Sequence, residues 1–320
     1  MARGFWCMCL AFMLVVMPIA PAMAYDSALD ASLSIYEVME YLHQLQISQP
    51  DVDHLAEGAI TGMLERLNDP YAEYLTEDMM AAYENELNGN YVGVGITLLE
   101  GEEYPLIADV LPDSPASQVD LQRGDLLLKV NGEDVKSMSL DQLSAKLQGP
   151  TGTQLTLGIR RGTVEMDVPL SLDVLSFPTV IGGEIFDDVG YIEILTFGEK
   201  TAQEFTTELD ALLTQKVQGL ILDLRNTPGG YLQPAVDIAG NFLPNDSLVL
   251  TAVAGNGQRE EYRTQKTPRW HGGKVVVLMN AYTASASEVL AAALRDHDVG
   301  ILLGETSYGK GVLQDVIPLE

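Results

Sequence analysis

Lys274-Val275-Val276-Val277-Leu278-Met279-Asn280-Ala281-Tyr282-Thr283-Ala284-Ser285-Ala286-Ser287-Glu288-Val289 decides the fold. The apolar run behind Lys274 has strand dimensions and is rich in valine, small residues break it, and an alanine-rich helix opens at Ser285. The same rhythm surrounds it. Gly190-Tyr191-Ile192-Glu193-Ile194 and Gly219-Leu220-Ile221-Leu222-Asp223-Leu224 read as strands, with helices expected over about Thr201 to Gln215 and from about Gln233. Near-continuous apolar strands alternating with helices imply an α/β core whose sheet is covered on both faces.

Ser285 permits two readings. Ser285-x-x-Glu288 is a capping box for the following helix. It is also a place for a nucleophile, since a helix start offers the positive end of the dipole and free amides for an oxyanion, that of Ala286 among them. A second donor is expected from Asp223-Leu224-Arg225-Asn226-Thr227-Pro228-Gly229-Gly230, where paired glycines after a buried strand let backbone approach a ligand; Gly230 is the first choice and Gly229 the next. An ordinary strand-to-helix turn would look the same.

A hydroxyl needs a base. His297 is twelve residues beyond Ser285 on one helix, roughly 18 Å away at about 1.5 Å per residue, and His43, His54 and His271 lie in remote helices or a polar loop. Lys310, in Gly309-Lys310-Gly311-Val312-Leu313-Gln314, is read as the base, because a desolvated lysine amine takes up a hydroxyl proton. A lone lysine on a surface hairpin is the plainer alternative. Gly304-x-x-x-x-Gly309-Lys310 approaches a phosphate loop, but Gly311 stands where a hydroxyl residue would hold magnesium and an apolar strand, Val312 to Leu319, is expected where a helix should follow. Gln314, four residues on and on the same strand face, is placed to orient the amine.

Upstream, short strands and glycine turns succeed one another: Tyr91 to Leu98, Leu106 to Val110, Asp125 to Val130 closed by Asn131-Gly132, then Leu155 to Arg160 and Glu165 to Leu170. One helix interrupts them, capped by Ser139 with Gln142 completing a capping box and ended by Gly149. This order, with Ser114-Pro115-Ala116 and Arg123-Gly124-Asp125 inside it, resembles a PDZ domain. The resemblance implies that a chain terminus adds as a strand beside the helix and that Val92-Gly93-Val94-Gly95, with Ile96 opening the receiving strand, binds its carboxylate.

Before this, Ala31 to Glu86 is helical in pattern, with Ile35, Val38, Met39, Leu42 and Leu45 at helical spacing and a second helix broken at Asp69-Pro70. Met1 to Ala24 reads as a secretory signal: Arg3, an apolar stretch from Phe5 to Ala20, and Ala22-Met23-Ala24 as cleavage site. An uncleaved anchor is the alternative, though the run is short for a span of about 20 residues. Both cysteines, Cys7 and Cys9, fall inside it, so the mature chain of 296 residues has no disulfide, thiol nucleophile or cysteine-bound metal. It carries 17 Lys+Arg against 46 Asp+Glu, a net charge of −29. Such acidity excludes nucleic acid and anionic lipid as partners, and no cluster has metal-ligand spacing.

Taken together, the segments resemble the C-terminal processing peptidases, or tail-specific proteases. The likeness runs from about Ser34 to Glu320 and includes Leu67-Asn68-Asp69-Pro70-Tyr71-Ala72-Glu73-Tyr74-Leu75, the PDZ loop, Asp223 to Gly230, Ala284 to Val289, and Gly304 to Gln314. It implies an exported serine endopeptidase, periplasmic or otherwise extracytoplasmic, with a Ser285–Lys310 dyad, Gln314 positioning the lysine, and an oxyanion hole from Ala286 and the Gly229-Gly230 turn. It implies structural support from Asp296 near the site, protein substrates bound by their C-termini, no cofactor, no metal, and membrane contact only through a retained signal. The expected organisation is a signal at 1–24, a helical region at 25–88, a PDZ domain at 89–174 and an α/β, crotonase- or ClpP-like core at 175–320, its central sheet flanked by helices. Family members continue past the lysine strand with further sheet and helix, so the chain is expected to be a fragment or to close differently at Glu320. The competing classes are an inactive PDZ adaptor that binds tails without cutting and, on the same fold, a carrier of apolar small molecules.

Overall fold

Residues 28–186, 188–271 and 273–319 are described by the computed structural model, so the signal expected at 1–24, with Cys7 and Cys9, lies outside the described residues. The chain divides into two units after Leu75. In the first, α1 (Ala28–Leu45) packs on α2 (Val52–Glu65), which starts at Asp51, whose carboxylate accepts from the Asp53 amide. The second helix ends before Asp69-Pro70, at Glu65, and the chain then turns through Asn68 with φ +51°. No residue of either helix is fully buried. No helix among the described residues is long and apolar enough to cross a membrane.

The second unit opens with α3 (Glu77–Leu87), capped by Thr76, and β1 (Asn90–Gly93). The expected strand over Tyr91 to Leu98 is two strands. Val94 and Gly95 leave the extended line, and β2 (Ile96–Leu99) belongs to a different sheet from β1. Gly95 turns at φ +84° under Ser114, where a Cβ would lie 2.2 Å from that residue's own Cβ, so only glycine fits the break.

Then come β3 (Leu106–Val110), the short α4 (Pro115–Gln118), β4 (Leu126–Val130), β5 (Glu133–Asp134), α5 (Leu140–Lys146), β6 (Gln154–Arg161) and β7 (Val164–Ser171). They form a sheet in the order β2-β3-β4-β6-β7, with β5 on β4 and β2 at one edge. The α5 capping box is present: Ser139 Oγ accepts from the Gln142 amide at 3.2 Å and Gln142 Oε1 from the Ser139 amide at 3.0 Å. Leu143, Ile107, Leu127, Leu157 and Ile159 form a fully buried core, each such side chain contributing about 1.5–3 kcal/mol relative to exposure. Asp125, buried in this domain, is held by Arg161 at 2.8 Å through both Nε and Nη2.

β8 (Asp173–Ser176) returns antiparallel to β1, so the ways into and out of this domain form one two-stranded ribbon. Beyond it lie β9 (Val180–Phe186), β10 (Val189–Ile194), α6 (Thr201–Thr214), β11 (Gly219–Asp223), α7 (Leu232–Ala239), the hairpin β12 (Leu248–Val253) and β13 (Arg259–Arg263), β14 (Val275–Met279), α8 (Ala286–Asp296) and β15 (Gly300–Gly304). Five of these strands make a sheet ordered β15-β14-β11-β10-β9, parallel except for β9.

Ile192, Leu222 and Val277 are level across the sheet and fully buried in one cluster with Phe205, Leu209, Ile238 and Leu290 from α6, α7 and α8. The alternate row, Tyr191, Ile221, Val276 and Ile301, is partly or largely exposed. The helices therefore cover one face of the α/β sheet, and among the described residues the other face stays accessible, where sequence led to the expectation of two covered faces. The apolar runs of parallel strands read alike in both cases. Val312 to Leu319 is not a strand. Residues 305–319 have no regular structure, and Val316 and Ile317 are 67% and 77% exposed. An apolar run becomes a strand only when it pairs with an edge, and among the described residues this one pairs with none.

Candidate active site

The loops after β10, β11 and β14 leave the same end of the parallel sheet, where ligands gather in open α/β folds. They are bolted together by small hydroxyl residues with no exposure at all. Thr227 Oγ1 donates to the Ile194 carbonyl at 2.6 Å, Thr283 Oγ1 to the Leu224 carbonyl at 2.7 Å, and Ser287 Oγ to the Thr227 carbonyl at 3.0 Å. The Ala284 amide also donates to Thr227, and the Asn226 and Asn280 side chains join at 2.8 Å.

This frame holds Ser285 at φ +55°, ψ −119°, a backbone region costing a non-glycine residue about 1–3 kcal/mol. A strained serine between strand and helix is the geometry that pushes a hydroxyl out of a turn. Ser285 is half-buried, and Ala286 opens α8 beside it, 2% exposed. Gly229 and Gly230 follow β11 at φ +101° and +138°, and Gly229 presses against the serine turn. A Cβ on Gly229 would lie 2.8 Å from Ser285 Cβ and 3.0 Å from the Ala286 nitrogen. Gly230 bridges to Phe197, which receives the Tyr231 amide at 2.7 Å and donates to Gly229 at 2.9 Å.

Lys310 reaches the same place by way of Glu288. The Glu288 carboxylate accepts from the Ser285 amide at 2.9 Å, Ser307 Oγ at 2.6 Å, the Gly309 amide at 2.8 Å and the Lys310 amide at 3.0 Å. Lys310 is half-buried and its Nζ donates to Gln314 Oε1, the pairing read from their spacing, although an irregular segment and not a strand brings it about. Ser285, Ala286, Gly229, Gly230, Lys310 and Gln314 thus belong to one linked set of segments. Asp296 does not. It lies at the far end of α8, roughly 15 Å along the axis, largely exposed and paired with Arg295 at 2.8 Å.

Below the glycine turn, Asp223 is buried and receives Arg225 Nη2 at 2.6 Å and Tyr191 Oη at 2.9 Å. Burial pushes its carboxyl up, but the bonds from Arg225 and Tyr191 prevail and hold it below the ordinary carboxylate range. Burial and the same carboxylate push the Tyr191 hydroxyl up to about 12. This neutral tyrosine and fixed ion pair anchor the end of β11.

In the N-terminal domain of this unit, Val92 and Gly93 pair with Val174 and Asp173. Val94 and Gly95 make the loop into β2, which Ile96 opens: the Ala116 amide donates to Val94 and the Leu111 amide to Gly95, both at 2.9 Å. β2 is the sheet edge next to this loop.

Peptidase family S41 matches residues 188–320, the PDZ domain 106–161, and the Activating protease CtpB N-terminal domain 30–79. Carboxy-terminal processing proteases CtpA and CtpB of Bacillus subtilis (strain 168) are each 32% identical, over 90% and 92% of this chain and 61% and 62% of their own length. The chain belongs to the C-terminal processing peptidases. A solved photosystem II D1 C-terminal processing protease is 27% identical with a TM-score of 0.50, covering 89% of this chain and 78% of that one. The chain spans about three fifths of the length of the two Bacillus relatives. The PDZ domain and the α/β core of this family are the two halves of the second unit described above.

Sequence reasoning missed how much converges on Glu288. It showed as a cap residue only, because three of its four donors come from 19 to 22 residues further along. Thr227, Thr283 and Ser287 were equally inconspicuous, the sole signal being hydroxyl residues inside otherwise apolar or glycine-rich turns.

Proposed function

We propose that the protein is an exported serine endopeptidase that captures protein C-termini on its PDZ domain and cuts peptide bonds through an acyl-enzyme on Ser285. The observation behind this reading is the strained backbone of Ser285, fixed by fully buried hydroxyls, with Gly229 packed against it and the Lys310 segment tied on through Glu288. Strain of this kind persists at functional turns, where the surroundings over-determine it.

In the proposed reaction the Lys310 amine accepts the Ser285 proton as Oγ bonds to the substrate carbonyl carbon. The amides of Ala286 and Gly230, with Gly229 next, receive the oxyanion, and Gln314 keeps the amine aligned. As the C–N bond breaks, the lysine returns the proton to the departing amine. Water then attacks the ester by the same route reversed. Upstream, the free edge of β2 accepts a substrate terminus as an added strand, with Val92, Gly93, Val94, Gly95 and Ile96 around its carboxylate. We assign the segments 25–88, 89–174 and 175–320 to helical, PDZ and peptidase parts, with the leader at 1–24.

The test is turnover of one peptide series with free or amidated C-termini. Free-acid peptides are expected to be cut and amidated ones to bind poorly. Ser285→Ala and Lys310→Ala should each abolish cleavage while leaving tail binding unchanged. Full turnover in either variant would overturn the assignment.

A further inference from the structure

We infer that Glu288 is a positioning residue, a clasp that sets where the Lys310 segment stands relative to the Ser285 turn. The inference rests on the proposed roles of Ser285 and Lys310 and extends them to a group that touches neither substrate nor the reacting atoms.

The geometry is particular. Glu288 Oε2 accepts from the Ser285 amide at 2.9 Å and the Lys310 amide at 3.0 Å, so one atom fixes the backbones of both residues. Glu288 Oε1 accepts from Ser307 Oγ at 2.6 Å and the Gly309 amide at 2.8 Å, which sets the approach to Lys310. Backbone bonds further back also join the two segments, from the Tyr308 amide to Thr283 at 2.9 Å and from the Glu305 amide to Met279 at 3.1 Å. The described residues beyond Gly304 form neither strand nor helix, and Lys310 is flanked by the exposed Gly309 and Gly311. A flexible loop would let the amine wander. Four donors on one carboxylate at the rigid first turn of α8 stop it, and charged acceptors make the stronger hydrogen bonds.

Chemistry distinguishes a clasp from a helix cap. Capping needs only the bond from Glu288 to the Ser285 amide, and a glutamine supplies it. The clasp needs four acceptor contacts, and Glu288→Gln turns one oxygen into an NH2 that faces two donors in place of accepting from them. Glu288→Asp keeps the charge but falls one methylene short. Both variants therefore break the clasp, whereas only glutamine removes the charge. A displacement of about 1 Å in a reacting group costs on the order of 10²-fold in rate.

The experiment compares wild type, Glu288→Gln, Glu288→Asp and Ser307→Ala, with Ser285→Ala and Lys310→Ala alongside. Steady-state kinetics on a free-acid peptide, tail-peptide affinity and amide hydrogen exchange over residues 305–312 are read on each full-length protein. Expected are a fall of about 10²-fold in kcat for both Glu288 variants, unchanged KM and tail affinity, faster exchange at Gly309 and Lys310, and a smaller fall for Ser307→Ala. Wild-type kcat in Glu288→Gln, an equal loss of tail affinity, or unchanged exchange at those two amides would overturn the clasp. Turnover by Ser285→Ala or Lys310→Ala would instead overturn the dyad, and the exchange measurement would still decide the clasp.

Discussion

Gly229→Ala places one methyl group against the proposed nucleophile. The new Cβ would stand 2.7 Å from the Ala284 carbonyl oxygen, 2.8 Å from Ser285 Cβ and 3.0 Å from the Ala286 nitrogen, all inside the 3.4 Å at which ordinary contact begins. Backbone lines two of those three approaches, so relief requires the serine turn or the glycine turn to retreat by about 0.6–0.7 Å. A shift of about 1 Å costs on the order of 10²-fold in rate, so kcat should fall by about 20-fold. The φ of +101° adds a strain of about 1–2 kcal/mol, which lowers the melting temperature by a few degrees. Gly257→Ala supplies the control, for Gly257 sits at φ +82° with nothing within 4 Å of its added Cβ. It should show the thermal loss without the kinetic one. The assay is kcat on a fluorogenic peptide beside a thermal melt. Wild-type kcat in Gly229→Ala, or an equal kinetic loss in Gly257→Ala, would refute the close-approach argument.

Two further outcomes follow from buried charge. Arg161→Leu strips Asp125, 1% exposed, of its guanidinium and leaves a buried carboxylate with little beyond the Gln122 amide at 2.9 Å; about 3 kcal/mol of PDZ stability should be lost, seen as a lower urea midpoint and weaker tail binding, and an unchanged midpoint would count against it. Burial pushes the Asp125 carboxyl up, but Arg161 and the Gln122 amide hold it below its ordinary value, as Arg225 and Tyr191 hold Asp223. Because the native carboxyls bind protons less readily than the unfolded ones, their stabilisation is complete above the unfolded value of about 3.9 and is lost as pH falls through the lower native values. Urea midpoints should therefore hold from pH 7 to about 5 and decline below about 4; a decline starting near neutrality would contradict these two groups as its cause.

Much of the fold was legible because local rules and tertiary packing agree. The α5 cap was visible in Ser139 and Gln142, and β10, β11 and β14 in runs that the core then buried. The failures have one physical source, dependence on partners remote in sequence. Tyr91 to Leu98 alternates like a single strand, and only the crowding of Ser114 on Gly95 splits it. Val312 to Leu319 has strand composition, yet a strand exists only when another edge accepts it. At the site, Ser285 looked like a helix cap because the positive φ that sets it apart is imposed by Thr227, Thr283 and Ser287, none of which announces itself by type. Asp296 was placed by resemblance alone, and ten residues of helix carry it away from the serine.

Covalent labelling by a fluorophosphonate, located by peptide mass spectrometry, tests the central claim most directly. The account predicts a single adduct on Ser285 in the wild-type protein, absent from Ser285→Ala and suppressed in Lys310→Ala, with tail-peptide affinity equal in all three. An adduct on another serine, or labelling of Ser285 at the same rate after loss of the Lys310 amine, would contradict it.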